Sequence, residues 1–327
     1  MPLWRTWHNW HRPLVLFSAT MVALTAVSAA GLALDDRVLV GARIWSKPFK
    51  FSVSFIAYSL SLAWMLSLMD RGRRAGWWAG TVVAATGAVE MLIITGQVIR
   101  GKRSHFNHQT PFDEALFNAM AVTVVVLWLA TLVIALLLLR ARIADRASAW
   151  TMRCGVALAL AGAAVGFLMT QPAPGQVRGE SPVVGAHSVG VPDGGPAMPL
   201  TGWSTTGGDL RIPHFFGMHA LQLLPLLLMA SAALAPRCAR LADGRVRLRL
   251  VLVASGAYAA LFALLTWQAL RGQPLHRPDG VTLTAAALIA CATAAATYWA
   301  LRLPRAPGTQ PPGGPTALPH KEVETAA

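Results

Sequence analysis

The sequence predicts an all-α fold: a polytopic membrane bundle of eight transmembrane helices arranged as a 4+4 parallel tandem repeat. Three observations predict it. Of the 327 residues, 55% are hydrophobic and only 13% charged, where a soluble chain carries about 25% charged residues. Mean hydropathy is +0.50, and eight apolar runs each approach the ~20 residues a helix needs to cross ~30 Å of hydrocarbon. A motif at the end of the third run returns at the end of the seventh.

The first run, 13–34, follows Arg5 and Arg12. It stays uncharged for longer than the ~7–15 residues of a signal-peptide core, so it reads as a span. The others cover about 48–69, 75–99, 114–139, 151–171, 212–235, 250–270 and 281–301. Only helices satisfy their own backbone polar groups in isolated segments of this length. The halves are 1–140 and 141–303; the second includes a Gly-, Pro- and Ser-rich outer loop, 172–211. A Pro- and Gly-rich cytoplasmic tail, 304–327, reads as disordered.

The net charge of +14 would suggest nucleic acid in a soluble protein. Here the bases cluster between apolar runs, so the partner expected is the lipid bilayer and no nucleic acid is expected. Alternate loops divide the 28 bases into 17 and 11, which places both termini in the cytoplasm. With only four Lys and abundant Ala and Gly, the expected location is a bacterial inner membrane. Lys47, Lys50, Arg100, Lys102 and Arg103 lie on the outer side against that bias, which points to a job that keeps them there. Trp77, Trp78, Trp150 and Trp299 at inner ends, with Trp45 and Trp267 at outer ends, form an aromatic belt. Trp4, Trp7 and Trp10 would line an interfacial helix, with His8 and His11 between them. Three cysteines make no disulfide framework.

The repeat rests on T-G-Q-V-I-R-G-K-R-S-H (Thr95–His105) and T-W-Q-A-L-R-G-Q-P-L-H (Thr266–His276), which match at Thr, Gln, Arg, Gly and His. A fainter echo is Arg43-Ile44 before Pro48 and Arg211-Ile212 before Pro213. Four spans return the chain to its starting side, so the repeats would be parallel about the membrane normal.

Polar residues gather in the outer leaflet, which predicts a polar cavity open to the outside and sealed below. Glu90 is the one acid well inside a span, costly there and so a candidate proton donor or acceptor. Gln97, Arg100, His105, His219, Gln222, Gln268, Arg271 and His276 are the candidate cofactor-binding residues. Arg100 and Arg271 could clamp a small anionic ligand or cofactor, and a His could ligate haem iron. His105, His108 and His214 could bind copper or zinc. A plainer reading makes each Arg-Gly a helix cap.

The reading that leads is a site for haem, a quinone or a metal ion. Its alternatives are proton-coupled transport using Glu90 and a non-catalytic scaffold or assembly factor. P-loop, G-x-S-x-G, H-E-x-x-H and C-x-x-C motifs are absent.

The run Q-V-I-R-G-K-R-S-H-F-N followed by T-P-F-D (Gln97–Asp113) resembles a segment of uncharacterised bacterial polytopic inner-membrane proteins. That resemblance implies no activity. The 4+4 plan with outer-facing His resembles haem A synthase at the level of the fold alone.

Overall fold

The structure, a computed structural model, describes residues 10–302. Trp4, Trp7, His8 and the tail 304–327 lie outside the described residues.

Eight helices follow one another: α1 (Arg12–Leu34), α2 (Ser46–Ser67), α3 (Arg73–Ile99), α4 (Pro111–Arg140), α5 (Arg146–Met169), α6 (Arg211–Leu234), α7 (Gly244–Leu270) and α8 (Gly280–Arg302). All eight are long and apolar enough to cross a membrane. The chain is a multi-pass membrane protein of the all-α class.

Local chemistry sets the ends. His11 caps α1, its Nδ1 accepting from Leu14 N–H, while its Nε2–H donates to the Trp77 carbonyl at 2.8 Å. Thr110 caps α4 with Pro111 in the first turn, and Asp145 caps α5. Helices 5 and 7 start five or six residues before their apolar runs. Arg146, Arg245, Arg247 and Arg249 lie in their first two turns, so helix runs on through charges that hydropathy assigns to loops.

The two halves pair their helices alike. In the first, α1 packs on α2, α3 on α4, and α3 on both α1 and α2; in the second, α5 packs on α6, α7 on α8, and α7 on both α5 and α6. The halves meet through α4 with α5 and α2 with α6. Small residues set the closest approach: the Cα atoms of Gly162 on α5 and Gly217 on α6 face each other with no room for a Cβ at either. Leu14, Leu62, Met65, Val83, Met91, Ile134 and Leu138 fill the main core. The exposed apolar rows, such as Val122, Val126, Leu129 and Val133 on α4, are the surface lipid would cover.

Interhelical hydrogen bonds satisfy hydroxyls in the spans. Thr25 donates to Ser52 at 2.8 Å, Tyr58 pairs with Thr131 at 2.5 Å, and Trp128 donates to the Leu160 carbonyl at 3.0 Å.

One end of the bundle is rich in loops. It carries a hairpin, β1 (Val38–Leu39) with β2 (Ala42–Arg43), and a second antiparallel pair, β3 (Ser188–Val189) with β4 (Gly208–Asp209). The turn after α3 docks on the long loop, with His108 N–H donating to the Pro182 carbonyl at 2.9 Å and Val184 N–H to the Phe106 carbonyl at 3.2 Å. Gly208 lies so close to the end of α7 that a Cβ would stand 2.0 Å from the Ala269 carbonyl oxygen. The loop 172–211 is thus a packed cap over the bundle end.

Candidate functional site

Under that cap is a cavity of about 170 Å³. The first turns of α2 and α6, the last turns of α3, the hairpin and the long loop enclose it. Neither Trp45 before α2 nor Leu210 before α6 supplies a side-chain cap, so two helix N-termini meet the cavity without one, an arrangement that favours negative charge.

The side chains are more one-sided still. Arg43, Lys47, Lys50, Lys102, Arg103 and Arg211 line the cavity, against a single acid, Asp193. Arg43 pairs with Asp36 at 3.3 Å and Arg211 with Asp209 at 2.5 Å. Lys50 donates to the Thr201 carbonyl at 2.9 Å. Among the described residues, Lys47, Lys50, Lys102 and Arg103 have no carboxylate partner. Lys47 is half-buried, and its ammonium lies over the Phe51 ring, 5.7 Å from the centroid. Gathering like charges in a partly desolvated space is unfavourable unless an anion joins them.

Asp193 is already engaged. It accepts from the His187 Nδ1–H at 2.7 Å and from the Ser188 N–H at 2.9 Å. Burial works to raise its carboxyl, but those donors hold it well below the usual carboxylate range. Burial lowers His187 despite the pull of Asp193. His105 stands against Phe51, Phe106 and Phe117 at 5.9, 6.0 and 6.4 Å between ring centroids. Burial, then the Lys47 charge and the nearby His187 and His214, hold its imidazole well below the usual histidine range.

This pair of histidines sets a pH dependence. Both hold a proton less readily when folded than when unfolded, where they titrate at about pH 6.5. Their stability contribution is full above that value and falls as pH drops below it. Unfolding of the detergent-solubilised protein should therefore become easier from about pH 7 to about pH 5, by at most about 1.4 kcal/mol per pH unit for each histidine. His105→Gln should flatten the slope. A midpoint constant over that range would contradict the assignment.

Of the candidate catalytic, cofactor-binding and metal residues, His105 alone lines the cavity. Glu90 is buried and accepts from the Thr123 hydroxyl of α4 at 2.7 Å. It shares a face of α3 with Ile94 and Val98, which line the cavity, and so lies one turn, ~6 Å, beneath it. Its charge and that of Lys47 are close enough to interact. On α6, His219 pairs with Gln222 at 3.1 Å, and Gln222 donates to Ser61 of α2 at 3.2 Å, so neither reaches Glu90.

The twin Arg-Gly motifs build twin turns. Gln97 donates to the carbonyl six residues on, that of Arg103, at 3.1 Å, and Gln268 likewise to that of Pro274 at 3.0 Å. Gly101 and Gly272 take φ of 69° and 71°, the left-handed turn that glycine accepts freely. Arg100 pairs with Asp113 at 2.7 Å and Arg271 with Asp279 at 2.8 Å, each tying one helix exit to the next helix start. This is the helix-cap geometry, with each guanidinium held by a carboxylate of the chain itself.

The remaining histidines disperse. His108 pairs with Glu114 at 3.3 Å, His214 donates to the Gly162 carbonyl at 2.8 Å, and His276 is exposed. Among the described residues no three His, Cys, Asp or Glu side chains are placed to hold a metal ion. The residues also fit a haem poorly: the His105 ring is flanked by three phenyl rings, and His219 and His276 lie off the cavity.

Sequence reasoning missed Asp193 and His187 as a pair and Arg211 as a wall of the site. It did mark Lys47, Lys50, Lys102 and Arg103, as bases on the wrong side of the charge bias. No protein-family profile, curated protein or solved structure matches this chain.

Proposed function

We propose that this protein resides in a bacterial inner membrane with both termini in the cytoplasm, and that its loop-rich end faces outward and binds a compact anion. The observation that carries the reading is the set of four bases with no carboxylate partner among the described residues, Lys47 half-buried among them. The same four stand against the topological charge bias, a cost that an anion would offset. We also propose that the halves arose by duplication. The matched pairing of helices and the twin exit turns support it. Helices 2 and 6 are then equivalent, and their N-termini would flank one site between the repeats.

Titration calorimetry with inorganic phosphate tests the reading. The detergent-purified protein should bind phosphate, more weakly as salt rises. Lys47→Gln should weaken binding about 10- to 100-fold, the loss of one charge-assisted hydrogen bond. Absence of phosphate binding, or equal affinity in Lys47→Gln, would remove the anion site.

Glu90 favours a second reading, in which anion binding is coupled to a proton, because it lies one turn beneath the cavity within electrostatic reach of Lys47. Phosphate-driven proton flux in proteoliposomes that Glu90→Gln abolishes would support coupling; flux unchanged by Glu90→Gln, or no flux, would remove it.

A further inference from the structure

We propose that the ligand is amphiphilic: a phosphomonoester head held by the bases and an apolar body resting on aromatic rings below them. This rests on the anion-site reading and specifies its ligand. The cavity has two levels. Lys102 and Arg103 lie beyond the end of α3, and Lys47 and Arg211 stand on the first turns of α2 and α6. Deeper, Phe51 and Phe215 turn half-buried rings to the cavity, and Ile94 and Val98 close it.

Helical rise gives the depth. Phe51 is five residues past the start of α2, Ile94 five before the end of α3, and Phe215 four past the start of α6. Each lies ~6–8 Å inside the helix ends at ~1.5 Å per residue. That matches the ~5–10 Å below the interface where amphipathic groups bury their apolar side. An inorganic anion uses the upper level alone and leaves two rings in contact with water. An amphiphile fills both.

The head follows from charge. Four bases without a carboxylate call for more than one negative charge. A carboxylate brings one; a phosphomonoester brings about 1.5 to 2 and three acceptor oxygens. Such a head occurs on membrane lipids and on soluble esters, and the chemistry of recognition is the same for both.

The test uses the full chain in phosphatidylcholine nanodiscs, titrated with inorganic phosphate, hexyl phosphate and hexanol. Hexyl phosphate should bind at least about tenfold more tightly than inorganic phosphate, the effect of burying two or more methylenes. Hexanol should not bind. Phe215→Ala should bring the affinity for hexyl phosphate down toward that for inorganic phosphate; Phe51→Ala, read as the same ratio, serves if the first variant does not fold. Discs containing phosphatidic acid identify the source. Competition there, absent from discs of equal charge made with phosphatidylserine, assigns a lipid head; no competition assigns a soluble ester. Equal affinity for the two phosphates overturns the amphiphile and leaves the anion site standing. Hexanol binding as tightly as hexyl phosphate also overturns the proposal. Failure of both phosphates to bind removes the anion site itself.

Discussion

Arg211→Ala should destabilise the detergent-solubilised protein by about 3–5 kcal/mol, the cost of leaving a buried charge without its partner. Asp209 is fully shielded from water. Arg211 grips both its oxygens, from Nε at 2.9 Å and Nη2 at 2.5 Å, and also donates to the Gly202 carbonyl at 2.6 Å. The Ser204 and Arg211 backbone N–H groups complete the shell at 2.8 and 3.0 Å. These bonds fix the last stretch of the long loop against the start of α6. Without the guanidinium the carboxylate keeps two backbone donors and loses its counter-charge. Arg211→Lys should recover part of the loss, since an ammonium restores charge but not the two-pronged geometry. Arg271→Ala, whose partner Asp279 is more than a third exposed, should change stability far less. Denaturant unfolding of the three variants checks the order; equal losses for Arg211→Ala and Arg271→Ala would contradict it.

Gly162→Ala should cost about 3 kcal/mol, the upper end for overpacking a tight contact. A Cβ there would stand 2.5 Å from the backbone nitrogen of Met218 and 2.6 Å from Gly217 Cα. Backbone cannot swing aside as a flexible side chain can, so α5 and α6 must part. This is the closest helix pair of the second half, and α6 carries one wall of the cavity. The same substitution at Gly256 of α7 meets nothing within 4 Å. It should stabilise slightly, since alanine favours helix over glycine by about 0.5–1 kcal/mol. Opposite signs for the two variants in one unfolding assay are the expected result, and a neutral Gly162→Ala would contradict the close approach.

The spans were legible because hydropathy is a local property. The run expected at 13–34 became Arg12–Leu34, and that at 281–301 became Gly280–Arg302. The starts of α5 and α7 were less legible, because their first turns carry arginines that hydropathy assigns to loops while helix geometry continues through them. The exit motifs were legible as a pattern and as a cap. A polar cavity was expected, but its walls were not legible: they come from Arg43, Lys47, Arg103, Asp193 and Arg211, which no local period connects. What sequence did record was a cost, five bases against the charge bias, of which all but Arg100 line the cavity. Glu90 lies well inside α3, and helix rotation decides its partner. Its face of α3 turns the carboxyl toward Thr123 on α4, and a single apolar stripe does not fix that rotation to within one neighbour.

The central claim is a cationic site open on the outer side only. Ser46 lines the cavity beside Lys47. In a chain with Cys154, Cys238 and Cys291 replaced by alanine, Ser46→Cys reports on that space. The measurement is labelling by a membrane-impermeant maleimide in sealed vesicles of both orientations, with and without phosphate. The account predicts labelling in right-side-out vesicles, slowed by phosphate, and none in sealed inside-out vesicles. Labelling only in inside-out vesicles would contradict the orientation, and a labelling rate unaffected by saturating phosphate would contradict the anion site.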